Sequence, residues 1–324
     1  MIVRESVARD AMRLLIWYPV RWLAAVLPLR AGLNLFRLLG DIDCALSRRR
    51  KREVESNMAS ALGRSADDPG IRAAVRQYFR NHYVNQLHIF LYPRLNKGTI
   101  RRIHSIEGRE HLDGALRRGK GCILLHAHLG PSQLPLFDLG LEGYPMMQVG
   151  YLTDEGLSFV GKRVAFRLRG IYENRIPARI VPADGFLRPV MEWVRDNKVL
   201  MISGDGAGGG RFIGRHHTPG FLGEPTLFPL GAASLAMKTG AQVLPLFTAQ
   251  VGDGTYATTI REPISGREDG AGVRTPEELS GTFTRMLEDH VRQHPHLWHF
   301  WDELPARRGG RRSGGGREPQ PGHV

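Results

Sequence analysis

Short apolar runs without polar alternation recur along the second half of the chain, at 122–125, 146–149, 180–181, 199–203 and 243–247. Such runs fit strands buried on both faces, and they are separated by stretches of helical periodicity at 110–116, from Ser132 through 140, 186–196 and 231–239. Strands alternating with helices predict an α/β fold, a mostly parallel central sheet with helices on both faces. Residues 256–260 add an edge strand.

Upstream, Asp68-Pro69 is a cap followed by a first-turn proline and opens a helix over 71–92, ended by Pro93. Val75, Tyr78, Phe79, Val84, Leu87 and Leu91 give it an apolar side, so it covers the sheet or walls a substrate site. His82 and His88 on it read as packing or surface residues. Near the end, Thr275-Pro-Glu-Glu278 is a capping box that starts a helix running to about 294.

The apolar stretch 14–29 is shorter than the about 20 residues needed to span a bilayer, carries Arg21 and is broken by Pro19 and Pro28. Arg13, Arg21, Arg30 and Arg37 interleave with Trp17, Trp22, Leu27 and Phe36, the pattern of an interfacial helix; the plain alternative is a helix packed on its own domain. Arg48-Arg-Arg-Lys-Arg52 reads as a solvated cationic segment that would also attract anionic lipid, at about 1 kcal/mol per charge. Three parts follow: 1–40, a membrane-associated amphipathic helical segment; 41–305, the α/β domain with its helical cover; and 306–324, a disordered basic Gly/Arg tail.

Composition changes this picture in one respect. With 42% hydrophobic and 24% charged residues the chain is an ordinary folded protein, but 45 Lys and Arg against 32 Asp and Glu leave a formal charge of +13. That excess suits an anionic membrane, an acidic protein or nucleic acid, without choosing among them. Two distant cysteines, Cys44 and Cys122, exclude a disulfide scaffold or a thiolate zinc site.

Gly204-Asp-Gly-Ala-Gly-Gly209 matches a dinucleotide fingerprint in form, but Arg211-Phe-Ile-Gly-Arg-His-His-Thr-Pro219 cannot open the helix that would receive a pyrophosphate. A glycine loop carrying Asp205 and Arg211 into a cleft, or a plain solvent loop, fits better. His290 and His294 have helical spacing but no HExxH partner, so they and His296 and His299 do not make a zinc motif. His126 and His128 end the run at 122–125, at the lip of the sheet where α/β proteins bind ligands. A histidine there is either a general base towards a hydroxyl or a satisfied core residue.

Several segments together resemble the lipid A biosynthesis (late) acyltransferases, within the broader lysophospholipid and glycerol-phosphate acyltransferase superfamily. They are Arg48-Arg-Arg-Lys-Arg-Glu-Val-Glu-Ser-Asn57, Glu107-Gly-Arg-Glu-His-Leu-Asp-Gly114, His126-Ala-His-Leu-Gly130, Pro229-Leu-Gly-Ala-Ala-Ser-Leu235 with Leu244-Pro245, and Pro295-His-Leu-Trp298. The resemblance implies acyl transfer from an acyl-CoA or acyl carrier protein thioester to a hydroxyl of a membrane glycolipid, at the cytoplasmic face of the bacterial inner membrane. No metal or redox cofactor and no nucleic acid is expected. The family's motif, His-x4-Asp/Glu, puts the base at His128 and the orienting acid at Gln133, which cannot carry a charge. Three outcomes stand open: a slower base, a displaced acid such as Asp205 or Asp138, or a noncatalytic lipid-binding protein on the same fold. By position, Arg169 resembles a phosphate- or carrier-binding arginine, and Gly130, Arg211 and Gly223 are substrate contacts.

Overall fold

The apolar runs form a seven-stranded sheet in the computed structural model, which describes residues 6–150, 154–183, 187–208, 211–265 and 275–309. Strands β1 (His104–Glu107), β2 (Cys122–His126), β3 (Met146–Gly150), β4 (Arg179–Pro182), β5 (Val199–Ser203), β6 (Gln242–Gly252) and β7 (Thr255–Ile260) are ordered β1-β7-β6-β2-β5-β3-β4. All neighbours are parallel except the β6–β7 hairpin. Residues 256–260 are therefore not at the edge. β1 pairs outside them, and its alternating buried and exposed residues offer no apolar run.

Both sheet faces are covered, which is why β2 reads as unbroken apolar sequence. Ile123 and Leu125 pack with Val194, Leu200, Phe283 and Trp298 on one side; Cys122 and Leu124 pack with Leu112, Leu136 and Leu139 on the other. Each such aliphatic side chain contributes about 1.5–3 kcal/mol on burial. Thr275 and Glu278 form the expected reciprocal cap of helix Pro276–Gln293, at 3.1 and 3.2 Å. Ser132, in contrast, caps nothing: helix Leu134–Glu142 follows Gln133 without a side-chain cap.

The first forty residues are not a separate unit. After Val7–Leu15, a π-turn containing Pro19 and Arg21–Val26, helix Leu29–Leu46 runs across the expected boundary at 40. Trp17, Val20, Ala24, Leu33 and Phe36 are buried against Tyr83, Val84, Leu87 and Phe90 of helix Pro69–Leu91. This inner face packs on its own domain, while Tyr18, Trp22, Leu23 and Val26 remain exposed on the outer face. Among the described residues no helix is long and apolar enough to cross a membrane.

The basic run is solvent-exposed at Arg48, Arg49 and Arg52, as expected, but not at Arg50. It opens helix Arg48–Leu62, and Arg50 turns inward over the Phe79 ring at 4.8 Å, with Asp43 at 3.5 Å and Asp302 at 3.6 Å. Arg49 and Lys51 pair along the helix with Glu53 and Glu55. At the other end, residues 306–309 do not belong to a disordered tail: Leu304–Arg307 is a short helix and Arg307 is buried. Residues 310–324 lie outside the described residues.

Candidate active site

β2 and β5 lie side by side with His126 opposite Ser203. Their connections then diverge, β2 leading to β3 on one side and β5 to β6 on the other, so the carboxyl ends of this pair form the switch-point crevice of the sheet. Two residues beyond each strand end, His128 and Asp205 meet. His128 Nδ1 is 2.8 Å from Asp205 Oδ1, and the His128 backbone N–H donates to Oδ2 at 2.9 Å.

Asp205 is wholly buried and saturated with donors, since Ser203 Oγ donates to Oδ1 at 2.7 Å and Trp298 Nε1 to Oδ2 at 3.1 Å. Burial pushes its carboxyl up, but the charge and hydrogen bonds of His128 and the charge of Arg307 outweigh that and hold it well below the usual carboxylate range. An ionised carboxylate has no proton to give, so His128 Nδ1 carries the hydrogen and Nε2 is left for the cavity. His128 is partly exposed there, its ring 4.7 Å from that of Phe300.

His126 is a different kind of residue. Burial, then the neighbouring His128, push it down to about 4, so it is a neutral wall of the site. His299 holds the His128 loop through its N–H, 3.0 Å from the His128 carbonyl, and its Nε2 faces Asn85 Nδ2 at 3.0 Å. Burial pushes His299 to about 3.

Beside His128 lies a cavity of about 560 Å³. Its two sides differ in chemistry. Val149, Ile180, Val190, Ile202 and Leu235, from the strand ends and the helices behind them, make an apolar side. Asn81, Asn85, Gln86, His88 and His299, from helix Pro69–Leu91 and the loop after helix Pro276–Gln293, make a polar but uncharged one. Asn85 Oδ1, Gln86 Nε2 and Gln133 Oε1 are buried without a hydrogen-bond partner. His82 and His88, read from their spacing as packing or surface residues, both line this cavity.

The remaining sequence candidates divide. Gln133 lines the cavity but does not orient the imidazole, because Nδ1 already faces Asp205. Asp138 is turned into the core, 2.8 Å from His104 Nδ1. Gly130 lines the cavity at φ +51° and donates its N–H to the Leu297 carbonyl at 2.9 Å. Arg169 lines it too, in an ion pair with Glu173 at 2.7 Å. Arg211 pairs with Glu155 at 3.3 Å and is not among the residues that line this cavity. Gly223 is likewise outside it: with Leu222 at φ +52° and Gly223 at φ +84°, it turns the tight hairpin between Phe221 and Glu224.

Gly204, the first glycine of the loop, owes its place to packing, since a Cβ there would run into the Phe283 ring. Trp298, Phe300 and Arg307 around Asp205 escaped sequence reasoning, although Trp298 lies in a segment that carried the family resemblance.

The profile of the bacterial lipid A biosynthesis acyltransferase family matches residues 8–303. The phosphatidylinositol mannoside acyltransferase of Mycobacterium tuberculosis (strain ATCC 25618 / H37Rv) is 28% identical over 264 residues, covering 76% of this chain and 75% of that protein. Its counterpart from Mycolicibacterium smegmatis is 27% identical over 257 residues, covering 76% and 77%. A profile match over nearly the whole folded chain, on a sheet that brings a histidine and a carboxylate to the edge of a cavity, makes this chain a member of the bacterial lipid A biosynthesis acyltransferase family, and an acyltransferase.

Proposed function

We propose that the protein moves a fatty acyl chain from an acyl-CoA or acyl carrier protein thioester to a hydroxyl on the sugar of a membrane glycolipid, of the phosphatidylinositol mannoside class. The observation that carries this reading is the His128–Asp205 pair at the edge of a cavity with one apolar and one neutral polar side. The apolar side suits the acyl chain. The polar side, with unpaired amide groups on Asn85, Gln86 and Gln133, suits the hydroxyl groups of a sugar better than a phosphate.

In this reading His128 Nε2 takes the proton of the acceptor hydroxyl as its oxygen attacks the thioester carbonyl. Asp205 stabilises the imidazolium, the C–S bond breaks, and the imidazolium returns its proton to the departing thiolate. Arg169, on the cavity wall, is the cation available to the donor's phosphates. No metal or redox group is needed for these steps.

Membrane attachment belongs to the same proposal. Tyr18, Trp22, Leu23 and Val26 project from the outer face of the amino-terminal helices beside Arg21, which stacks on Trp22 at 5.0 Å. Apolar and cationic groups on one face suit the cytoplasmic surface of an anionic bacterial inner membrane.

The test is an acceptor panel: purified protein, labelled palmitoyl-CoA or palmitoyl carrier protein, and phosphatidylinositol mannoside, lipid A precursor, lysophosphatidate or glycerol phosphate. Acylation of the mannoside above the phosphate acceptors supports the proposal. Preference for a glycerol phosphate acceptor refutes it.

A further inference from the structure

The family match ends at residue 303, yet the backbone of the acid that faces His128 is held by a residue beyond it. Arg307 is 4% exposed, and its guanidinium donates to the Asp205 carbonyl oxygen. It lies 4.1 Å over the Phe300 ring and 3.5 Å from the buried Glu303 carboxylate. Gly206 leaves room for it: at φ +98°, a Cβ there would come within 3.1 Å of Arg307 Nη1. The backbone of Arg307 is fixed as well, its carbonyl accepting the Leu227 N–H at 2.9 Å.

These contacts reach His128 by two routes. One passes through the Asp205–Gly206 turn, where Ser203 Oγ, whose one hydrogen is directed at Asp205 Oδ1, also lies 2.8 Å from the Gly206 carbonyl oxygen. The other passes through Phe300, whose ring packs on the His128 imidazole. Electrostatics adds a third link. Asp205, Arg307 and Glu303 together carry one net negative charge, which a proton on His128 cancels; removal of Arg307 leaves two negative charges and an Asp205 carbonyl without its donor.

We propose that Arg307 is a positioning residue of the active site, clamping the Asp205–Gly206 turn and the Phe300 ring so that the imidazole keeps Nδ1 on the acid and Nε2 towards the substrate. This rests on the reading of His128 as the base. Arg307 is not among the residues that line the cavity, and it acts through Asp205, Phe300 and its charge.

The test uses Arg307→Met and Arg307→Lys in the full chain, with three readouts: the downfield Nδ1–H proton resonance of His128, assigned by its loss in His128→Gln; kcat and KM for acyl transfer; and the melting temperature. Arg307→Met is expected to lose or broaden the resonance and to lower kcat at least tenfold, with both KM values within threefold. Arg307→Lys, which can still donate to the carbonyl, is expected to recover the resonance and most of kcat. Should Arg307→Met not fold, Arg307→Gln, a neutral donor of shorter reach, is judged by the same readouts. A lower melting temperature with an unchanged resonance and unchanged kcat in the folded fraction would overturn the proposal. Because the resonance is read without turnover, a protein that acylates no mannoside but loses the resonance in Arg307→Met would sink the acceptor assignment and uphold the clamp.

Discussion

Asp205→Asn is the substitution that asks most of the His128–Asp205 pair, because it keeps the shape of the side chain and removes only its charge and one acceptor. Four donors converge on the carboxylate: the His128 N–H, the His128 ring, Ser203 Oγ and Trp298 Nε1. An asparagine oxygen placed at Oδ2 still satisfies the His128 N–H and Trp298. Its amide then points two hydrogens at His128 Nδ1 and Ser203, so the imidazole must present Nδ1 as acceptor and carry its hydrogen on Nε2. That tautomer cannot take a proton from the acceptor hydroxyl. The lost charge alone is worth about 4 kcal/mol for charge centres about 4 Å apart at an effective dielectric near 20, which is about a thousandfold in rate. The tautomer error brings the expected loss towards about 10⁴. Steady-state rates with palmitoyl-CoA and phosphatidylinositol mannoside measure it, while circular dichroism and urea melts confirm folding within about 1–3 kcal/mol of the parent. A folded Asp205→Asn protein whose kcat lies within tenfold of the parent would refute the assignment of Asp205 as the partner of a catalytic His128.

Gln133 should behave as a substrate contact. Gln133→Ala is expected to raise the acceptor KM by about 2- to 13-fold, the range for one hydrogen bond, and to leave the donor KM and kcat nearly unchanged; a loss of kcat as large as that of Asp205→Asn would show that Gln133 takes part in orienting the base. Stability should depend on two buried histidines. Burial pushes both His88 and His126 down to about 4, against about 6.5 in an unfolded chain. Below about 6.5 the unfolded chain takes up protons that the folded protein refuses, so stability is complete above that pH, falls as the pH drops towards 4, and levels off below it. Each contributes at most roughly 3 kcal/mol; urea midpoints that stay flat between pH 7 and 5 would contradict this. On the outer face, Trp22→Ser with Leu23→Ser should weaken binding to anionic vesicles at least tenfold, since each exposed apolar side chain is worth about 1.5–3 kcal/mol when buried, with no change in melting temperature. Vesicle binding equal to that of the parent would remove this face from the proposed membrane contact.

Elements buried on both faces were legible from the chain, because Cys122, Ile123, Leu124 and Leu125 must all be apolar to lie between two helical layers. β1 was not, since His104 is a polar core residue whose ring is satisfied by Asp138 and by Thr258, each at 2.8 Å, and only the folded sheet brings those partners to it. The helix at Arg48–Leu62 was masked by its cations, one of which, Arg50, is half-buried between aromatic rings and carboxylates. His128 was legible as an imidazole at a strand end. Its acid was legible only as one of several alternatives: the motif spacing points to Gln133, with Asp205 and Asp138 as displaced acids, and it is the pairing of His126 with Ser203 that delivers Asp205 from 77 residues away. Gln133 was the main support for a noncatalytic protein, and that support lapses once a carboxylate faces the imidazole from another strand. Arg211 and Gly223 were placed by sequence position alone, and the loop paths carry them to an ion pair and to a hairpin turn.

The proposed transfer of a proton from a mannoside hydroxyl to His128 is tested by comparing the parent protein with His128→Ala for labelled acyl transfer to phosphatidylinositol mannoside, with acyl-donor binding measured in parallel. The expected result is donor-dependent product from the parent, a fall of at least a thousandfold in His128→Ala, and donor affinity within a few-fold of the parent. Turnover by His128→Ala within tenfold of the parent would contradict it.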